Sequence, residues 1–313
     1  GSEMCIRDRN RLALSNISKQ SNMAFHILAL LVVIVWGTTF VSSKSLLLAG
    51  LGPSDILLCR FILAYGCICL CSRPIRLFAD TLKDEALCLS GGLMGGTLYF
   101  VTENTALEYT LVSNVALICS TTPLLTMLIQ YLVLKKSKLS RSVFAGSITA
   151  FSGVGIVIFN GRFVFDLNPT GDLLCLASAL SWTLYTLISK ELSNRYSPLF
   201  IIRKTFFYGI VTLVPIWLYQ DAQAFDISIL RLPNIWMQLL FLGIIASFAC
   251  FMLWNICLRK LNTIVLSNYI YLVPVVSILT SELFLGEEAN LITLAGTVLV
   301  IAGMYLANKR TDK

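Results

Sequence analysis

Trp36-Gly-Thr-Thr-Phe-Val-Ser-Ser-Lys44 and Trp182-Thr-Leu-Tyr-Thr-Leu-Ile-Ser-Lys190 read as two copies of one segment. The tryptophans and the lysines are both 146 residues apart (182 − 36 and 190 − 44). Each copy closes a long apolar run. Where a membrane chain consists of two similar halves with an odd number of spans each, the second half must be inverted relative to the first. Inverted repeats of that kind are the architecture of secondary transporters.

Further matches extend the repeat in the same order. Asn104 and Leu107 match Asn255 and Leu258 at offset 151, Pro123 matches Pro274 at the same offset, and Gly146 and Gly153 match Gly296 and Gly303 at offset 150. Short patterns recur by chance in apolar sequence, but an ordered series with nearly constant offset points to duplication. The chain therefore divides into a first five-helix repeat at 23–160 and a second at 161–313. Residues 1–22 are polar, lack the apolar segment of a signal peptide and are expected to be a non-native or disordered leader.

Composition places the repeat in a bilayer. Hydrophobic residues make up 57% of the chain and charged residues 13%, with a mean hydropathy of +0.79, whereas a soluble chain carries roughly 25% charged residues. Ten apolar segments follow, at about 25–43, 54–71, 86–107, 113–133, 141–159, 171–190, 198–218, 234–257, 264–284 and 290–307. Each approaches the roughly 20 residues that cross hydrocarbon as a helix, and helices satisfy their own backbone groups there. The expected fold is all-α and integral to the membrane, with ten transmembrane helices.

Charge gives the orientation. Arg73, Arg76, Lys83, Lys135, Lys136, Lys138, Arg141, Lys190, Arg195, Arg259, Lys260, Lys309, Arg310 and Lys313 fall in the even-numbered turns and the C-terminal tail. Only Lys44, Arg162 and Arg231 fall in the odd-numbered turns. The positive-inside rule then puts both termini in the cytoplasm. The net charge of +7 is dispersed over these short loops, so it reads as topology and not as a nucleic-acid surface.

The features Trp36-Gly37, Lys44, Pro53 before Arg60-Phe61, Pro123, Leu285-Gly-Glu287, Gly296 and Gly303 resemble the drug/metabolite transporter superfamily, in particular its ten-helix EamA-type group. The resemblance spans residues 25–307. It implies transport of small metabolites, often export of amino acids or related compounds, across the inner (cytoplasmic) membrane by alternating access. In one respect the chain departs from the pattern. An acid often follows helix 4, and the corresponding position is Lys136, whereas the same step from Pro274 reaches Glu287.

No other chemistry is signalled. There is no Gly-x-x-x-x-Gly-Lys-Ser/Thr phosphate cradle, and one histidine with no Cys-x-x-Cys pair makes no zinc site. Cys67, Cys69 and Cys71 alternate around a helix and read as packing residues. No cofactor and no metal are expected. The expected partners are the lipid bilayer, a small-molecule solute and protons as a coupling ion. An integral-membrane enzyme would need a clustered catalytic constellation and a scaffold would need exposed docking segments, so transport leads both.

Candidate site residues follow from the cost of polar groups in lipid. Pro123 and Pro274 lack an N–H and release the carbonyls of Cys119 and Ile270. They kink their helices and can shape a polar cavity, or serve packing alone. Trp36, Tyr99, Trp182, Tyr185 and Tyr271 lie away from the interfacial belts, and they join an apolar body to a polar tip that suits an amphiphilic solute. Thr39 and Asn104 add hydrogen-bonding groups on the same spans, though an asparagine there can equally bond a neighbouring helix. A charge facing lipid costs a few kcal/mol. Arg60 and Arg203 are therefore candidates for an anionic group, with snorkelling as the alternative. Glu103 and Glu282 are candidates for a coupling proton or an ion pair. The expected cavity lies between the halves, lined from helices 1, 3, 4, 6, 8 and 9.

Overall fold

The computed structural model describes residues 2–72, 76–110, 112–135, 141–159, 168–219, 232–285 and 291–308. All regular structure among them is helical. Helix α1 runs Ser2–Leu48, α2 Pro53–Cys71, α3 Leu82–Gly92, α4 Tyr99–Tyr109, α5 Val112–Cys119, α6 Thr122–Leu128 and α7 Arg141–Phe159. Then follow α8 Pro169–Leu192, α9 Pro198–Tyr219, α10 Pro233–Leu240, α11 Cys250–Lys260, α12 Thr263–Asn268, α13 Leu272–Leu285 and α14 Leu291–Asn308.

Six helical stretches among the described residues are long and apolar enough to cross a membrane: Met23–Leu48, Pro53–Cys71, Pro169–Leu192, Pro198–Tyr219, Pro233–Lys260 and Thr263–Thr280. Shorter apolar helices cover Thr122–Val133 and Ala295–Ala307. Large apolar side chains such as Leu132, Met237, Leu283 and Tyr305 point outward, as they do where lipid is the solvent. Helix α1 includes residues 2–22, and the apolar stretch within it begins at Met23.

Local chemistry sets several boundaries. Proline opens α2, α8 and α10 at a position whose N–H would lack a helical partner. The Asn168 side chain accepts from the Gly171 amide at 3.2 Å, and that of Asn262 from the Ile264 amide at 2.9 Å, capping α8 and α12. Three wide π turns depart from the regular winding, at Leu93–Leu98 between α3 and α4, at Ile129–Val133 after α6 and at Phe241–Ala249 between α10 and α11. The chain also breaks at Ser120–Thr121 between α5 and α6, and tightens to a 3-10 turn at Tyr269–Tyr271 between α12 and α13. These last two breaks lie just before the repeat-related prolines Pro123 and Pro274. The Cys119 carbonyl released by Pro123 accepts the Thr122 hydroxyl at 2.8 Å, so the kink leaves it satisfied.

The repeat is visible in contacts as well as in sequence. Lys44 Nζ donates to the Leu107 carbonyl at 2.7 Å, near the end of α4, and Lys190 Nζ donates to the Leu258 carbonyl at 2.5 Å, near the end of α11. Donor and acceptor are both repeat counterparts, and in each case a cation meets the negative end of a helix. The most extensive helix–helix contact joins α7 and α14. There a Cβ on Gly146 would sit 2.4 Å from the Ala307 nitrogen, and one on Gly303 would sit 2.3 Å from the Ala150 nitrogen. These matched glycines let two backbones touch.

Candidate functional site

A cavity opens where α1, α2, α4, α5, α8, α11 and the α12–α13 turn converge. Its wall includes Trp36, Thr39, Arg60, Tyr99, Phe100, Glu103, Trp182 and Phe251, and it is completed by Ser120, Thr122, Ile270 and Pro274 among others. Both helix breaks therefore border it. Measured by the centres of water-sized spheres the cavity is about 40 Å³. That volume admits a few waters, each needing roughly 10–15 Å³ by this measure, and is tight for a metabolite.

Aromatic rings form most of the wall. Trp36 meets Trp182 edge-on with ring centroids 5.1 Å apart, and Trp254 lies 5.0 Å from Trp36. Tyr99 stands 4.9 Å from Trp182, and Phe251 lies 5.5 Å from it. The Trp36 indole N–H donates to the Ala246 carbonyl at 3.1 Å. That carbonyl belongs to the π turn Phe241–Ala249, a winding that recurs at functional sites in helices. The Trp182 indole nitrogen is buried and has no hydrogen-bond partner.

Charge enters from two sides. Arg60 is 2% exposed; its guanidinium lies over the Phe100 ring, 4.2 Å from the centroid, and its Nε donates to the Ser247 hydroxyl. Snorkelling toward headgroups is thereby excluded for Arg60, because the side chain turns inward onto a ring and a hydroxyl. Glu103 is buried as well, and accepts the Tyr99 hydroxyl at 2.7 Å. Among the described residues no direct ion pair joins Arg60 and Glu103, although both face the same cavity. The site thus holds a cation, an acid and an unpartnered N–H donor within an aromatic wall.

The other sequence candidates fall outside the lining. Tyr185 is fully buried behind Trp182, its hydroxyl accepting from Asn255 Nδ2 at 2.9 Å. Asn104 donates to the Phe100 carbonyl at 2.9 Å within its own helix. Tyr271 is fully buried on the 3-10 turn, and Pro123 is buried beside the lining residue Thr122. Arg203 lines a different cavity, near the start of α9. The Glu282 side chain, Lys136, Arg162, Arg231 and Glu287 lie outside what the structure describes.

Sequence reading missed Phe100, Ser247, Phe251 and Trp254, and it missed helix α2 as a wall of the cavity, which Arg60 contributes. The repeat carried part of this signal. Phe251 and Trp254 are the counterparts of Phe100 and Glu103 at offset 151, the offset that pairs Asn104 with Asn255. A second acidic network ties α3 to the α8–α9 connection and to α9: Asp84 accepts from Arg195 and Tyr196, and Glu85 from Lys204 and Tyr208. Burial disfavours ionisation of both carboxyls. For Asp84 the hydrogen bonds from Tyr196, Thr81 and Arg195 outweigh it, and for Glu85 those from Lys204, Tyr208 and the Ala79 amide do. Both are held below the usual carboxylate range.

The model of the EamA-like transporter family matches the chain twice, over residues 23–159 and 169–309. An uncharacterized transporter of Archaeoglobus fulgidus is 26% identical over 292 residues, covering 92% of this chain and 99% of that protein. A probable amino-acid metabolite efflux pump of Salmonella typhimurium is 27% identical, covering 89% of this chain and 93% of its own. A probable terminal-alkyne amino-acid exporter of Streptantibioticus cattleyicolor is 24% identical, covering 90% and 92%. One crystal structure superposes with a TM-score of 0.74 at 17% identity over 92% of this chain and 97% of that one, a likeness of fold.

Proposed function

The chain belongs to the EamA-like transporter family, and from that premise we propose that it is a secondary active transporter exporting zwitterionic amino acids or related small metabolites by alternating access. It is a multi-pass membrane protein. In this reading it crosses the inner membrane with ten helices, in two inverted five-helix repeats at 23–160 and 161–313, with both termini in the cytoplasm. The family model matches once in each half, over 23–159 and 169–309, which supports the reading of two units.

The observation that carries the substrate class is the coexistence of Arg60 and Glu103 in one cavity wall without a direct ion pair. A solute bearing both a carboxylate and an ammonium complements that arrangement. Its carboxylate would meet Arg60 and the free Trp182 N–H, and its ammonium would meet Glu103. The rings of Trp36, Tyr99 and Trp182 would cover its apolar part. Glu103 doubles as the carrier of a coupling proton, because protonation there would release an ammonium group. The narrow volume fits a state that must open to admit solute, which rocking of the two halves would provide.

Purified protein reconstituted in proteoliposomes tests this. Neutral amino acids should accumulate unchanged when a pH gradient is imposed. Chemical conversion of the solute would mark an enzyme instead. Absence of flux for every amino acid and amino-acid derivative tried would overturn the reading.

A further inference from the structure

A second cavity lies between the end of α2 and the start of α9. It is lined by Ser72, Arg76, Arg195, Tyr196, Phe200 and Arg203 among others, and measures about 390 Å³ by the centres of water-sized spheres. It is distinct from the central site, and it lies at the end of the bundle that the positive-inside bias assigns to the cytoplasm.

Among the described residues, two of the three cations that line it, and the neighbouring Lys204, already have acids. Arg76 pairs with Asp80, Arg195 with Asp84 and more loosely with Glu191, and Lys204 with Glu85. Among the described residues, Arg203 has no acid within ion-pair distance. It is 5% exposed, its guanidinium lies over Phe200 at 5.5 Å, and its Nη2 has no hydrogen-bond partner. Ser72 Oγ, on the same cavity wall, is also buried and unpartnered. Arg203 and Ser72 both line this cavity, and each carries an orphaned donor that is costly to bury unless an acceptor completes it. A guanidinium beside a hydroxyl suits a tetrahedral oxyanion, which offers several acceptors at once.

We propose that this cavity is a binding site for a phosphate group, whose oxygens accept from Arg203 Nη2 and Ser72 Oγ while Arg76 and Arg195 stand at the rim. The same chemistry is presented by the headgroup of an anionic phospholipid and by a soluble phosphate. The stacked rings of Tyr196 and Phe200, 4.7 Å apart, form the apolar plate beneath Arg76 and Arg203. The site does not depend on the transport reading.

Full-length protein in detergent is the material for the test, with two probes. Native mass spectrometry measures retention of phosphatidylglycerol against phosphatidylcholine, and thermal unfolding compares inorganic phosphate with chloride at equal ionic strength. Selective phosphatidylglycerol retention that falls about ten-fold in Arg203→Gln identifies a lipid headgroup. Phosphate-specific stabilisation lost in the same variant, without lipid selectivity, identifies a soluble phosphate. Ser72→Ala removes only a hydroxyl and should weaken the response several-fold, which guards against misfolding of the arginine variant. The proposal is overturned if the wild type prefers neither probe. It is equally overturned if Ser72→Ala leaves the response unchanged, or if Arg259→Gln, at an exposed cation elsewhere, lowers it as much as Arg203→Gln does.

Discussion

Trp36 and Trp182, counterparts in the repeat, meet edge to face with their centroids 5.1 Å apart, yet their indole nitrogens are treated differently. One is bonded to the Ala246 carbonyl at 3.1 Å, and the other is buried without a partner. The pseudo-symmetry places the rings, and the departure from it leaves the Trp182 N–H without a partner.

That difference separates two variants. Trp36→Phe should lower thermal stability by roughly 1 kcal/mol through the lost hydrogen bond. Trp182→Phe should leave stability nearly unchanged and weaken solute affinity about ten-fold if its N–H meets a carboxylate. Melting curves and flux in proteoliposomes measure the two effects side by side.

Glu103→Gln should abolish accumulation driven by a pH gradient while solute exchange across the membrane continues. Counterflow assays with labelled solute resolve the two. A variant that still accumulates solute with the gradient would exclude Glu103 as the proton carrier.

Acid should loosen the α3 network. The Asp84 and Glu85 carboxyls sit below their usual range, so their contribution to stability is fully present above the unfolded carboxylate pKa of about 4. It is lost as pH falls through the lower folded values. The expected result is a melting temperature that drops below about pH 4, and a flatter profile in the Asp84→Asn, Glu85→Gln double variant.

Single cysteines at Lys136 and Arg162 in a cysteine-depleted chain should label from opposite sides of the membrane. Labelling of both from one side would refute two inverted halves.

Much of this site was legible in the sequence because a polar residue in lipid is conspicuous. Trp36, Trp182, Tyr99, Arg60 and Glu103 stand out against apolar spans, and the repeat offsets pair the tryptophans, prolines and glycines. Residue type does not reveal how a helix is wound. The π turn Phe241–Ala249 aims the Ala246 carbonyl at Trp36 and holds Ser247 against Arg60, and nothing in Phe-Leu-Gly-Ile-Ile-Ala-Ser-Phe-Ala marks that winding. Arg203 and Arg60 looked alike in sequence, as cations inside spans. Only packing sends one to the central cavity and the other to the cavity beside α9. The link of Lys204 to Glu85 spans 119 residues and has no local signature.

The crossing of α7 and α14 constrains how this protein can move. Where side chains interlock, one rotamer can be exchanged for another as helices slide. At Gly146 and Gly303 the neighbouring backbone occupies the place of a side chain, and no rotamer is left to exchange. In the proposed rocking of the two halves, the crossing would serve as the fulcrum about which the cavity opens. Gly303→Leu should therefore do more than destabilise by about 1–3 kcal/mol. By wedging the fulcrum apart it should tilt the two walls of the cavity away from each other, so that a substitution distant from every solute contact slows turnover.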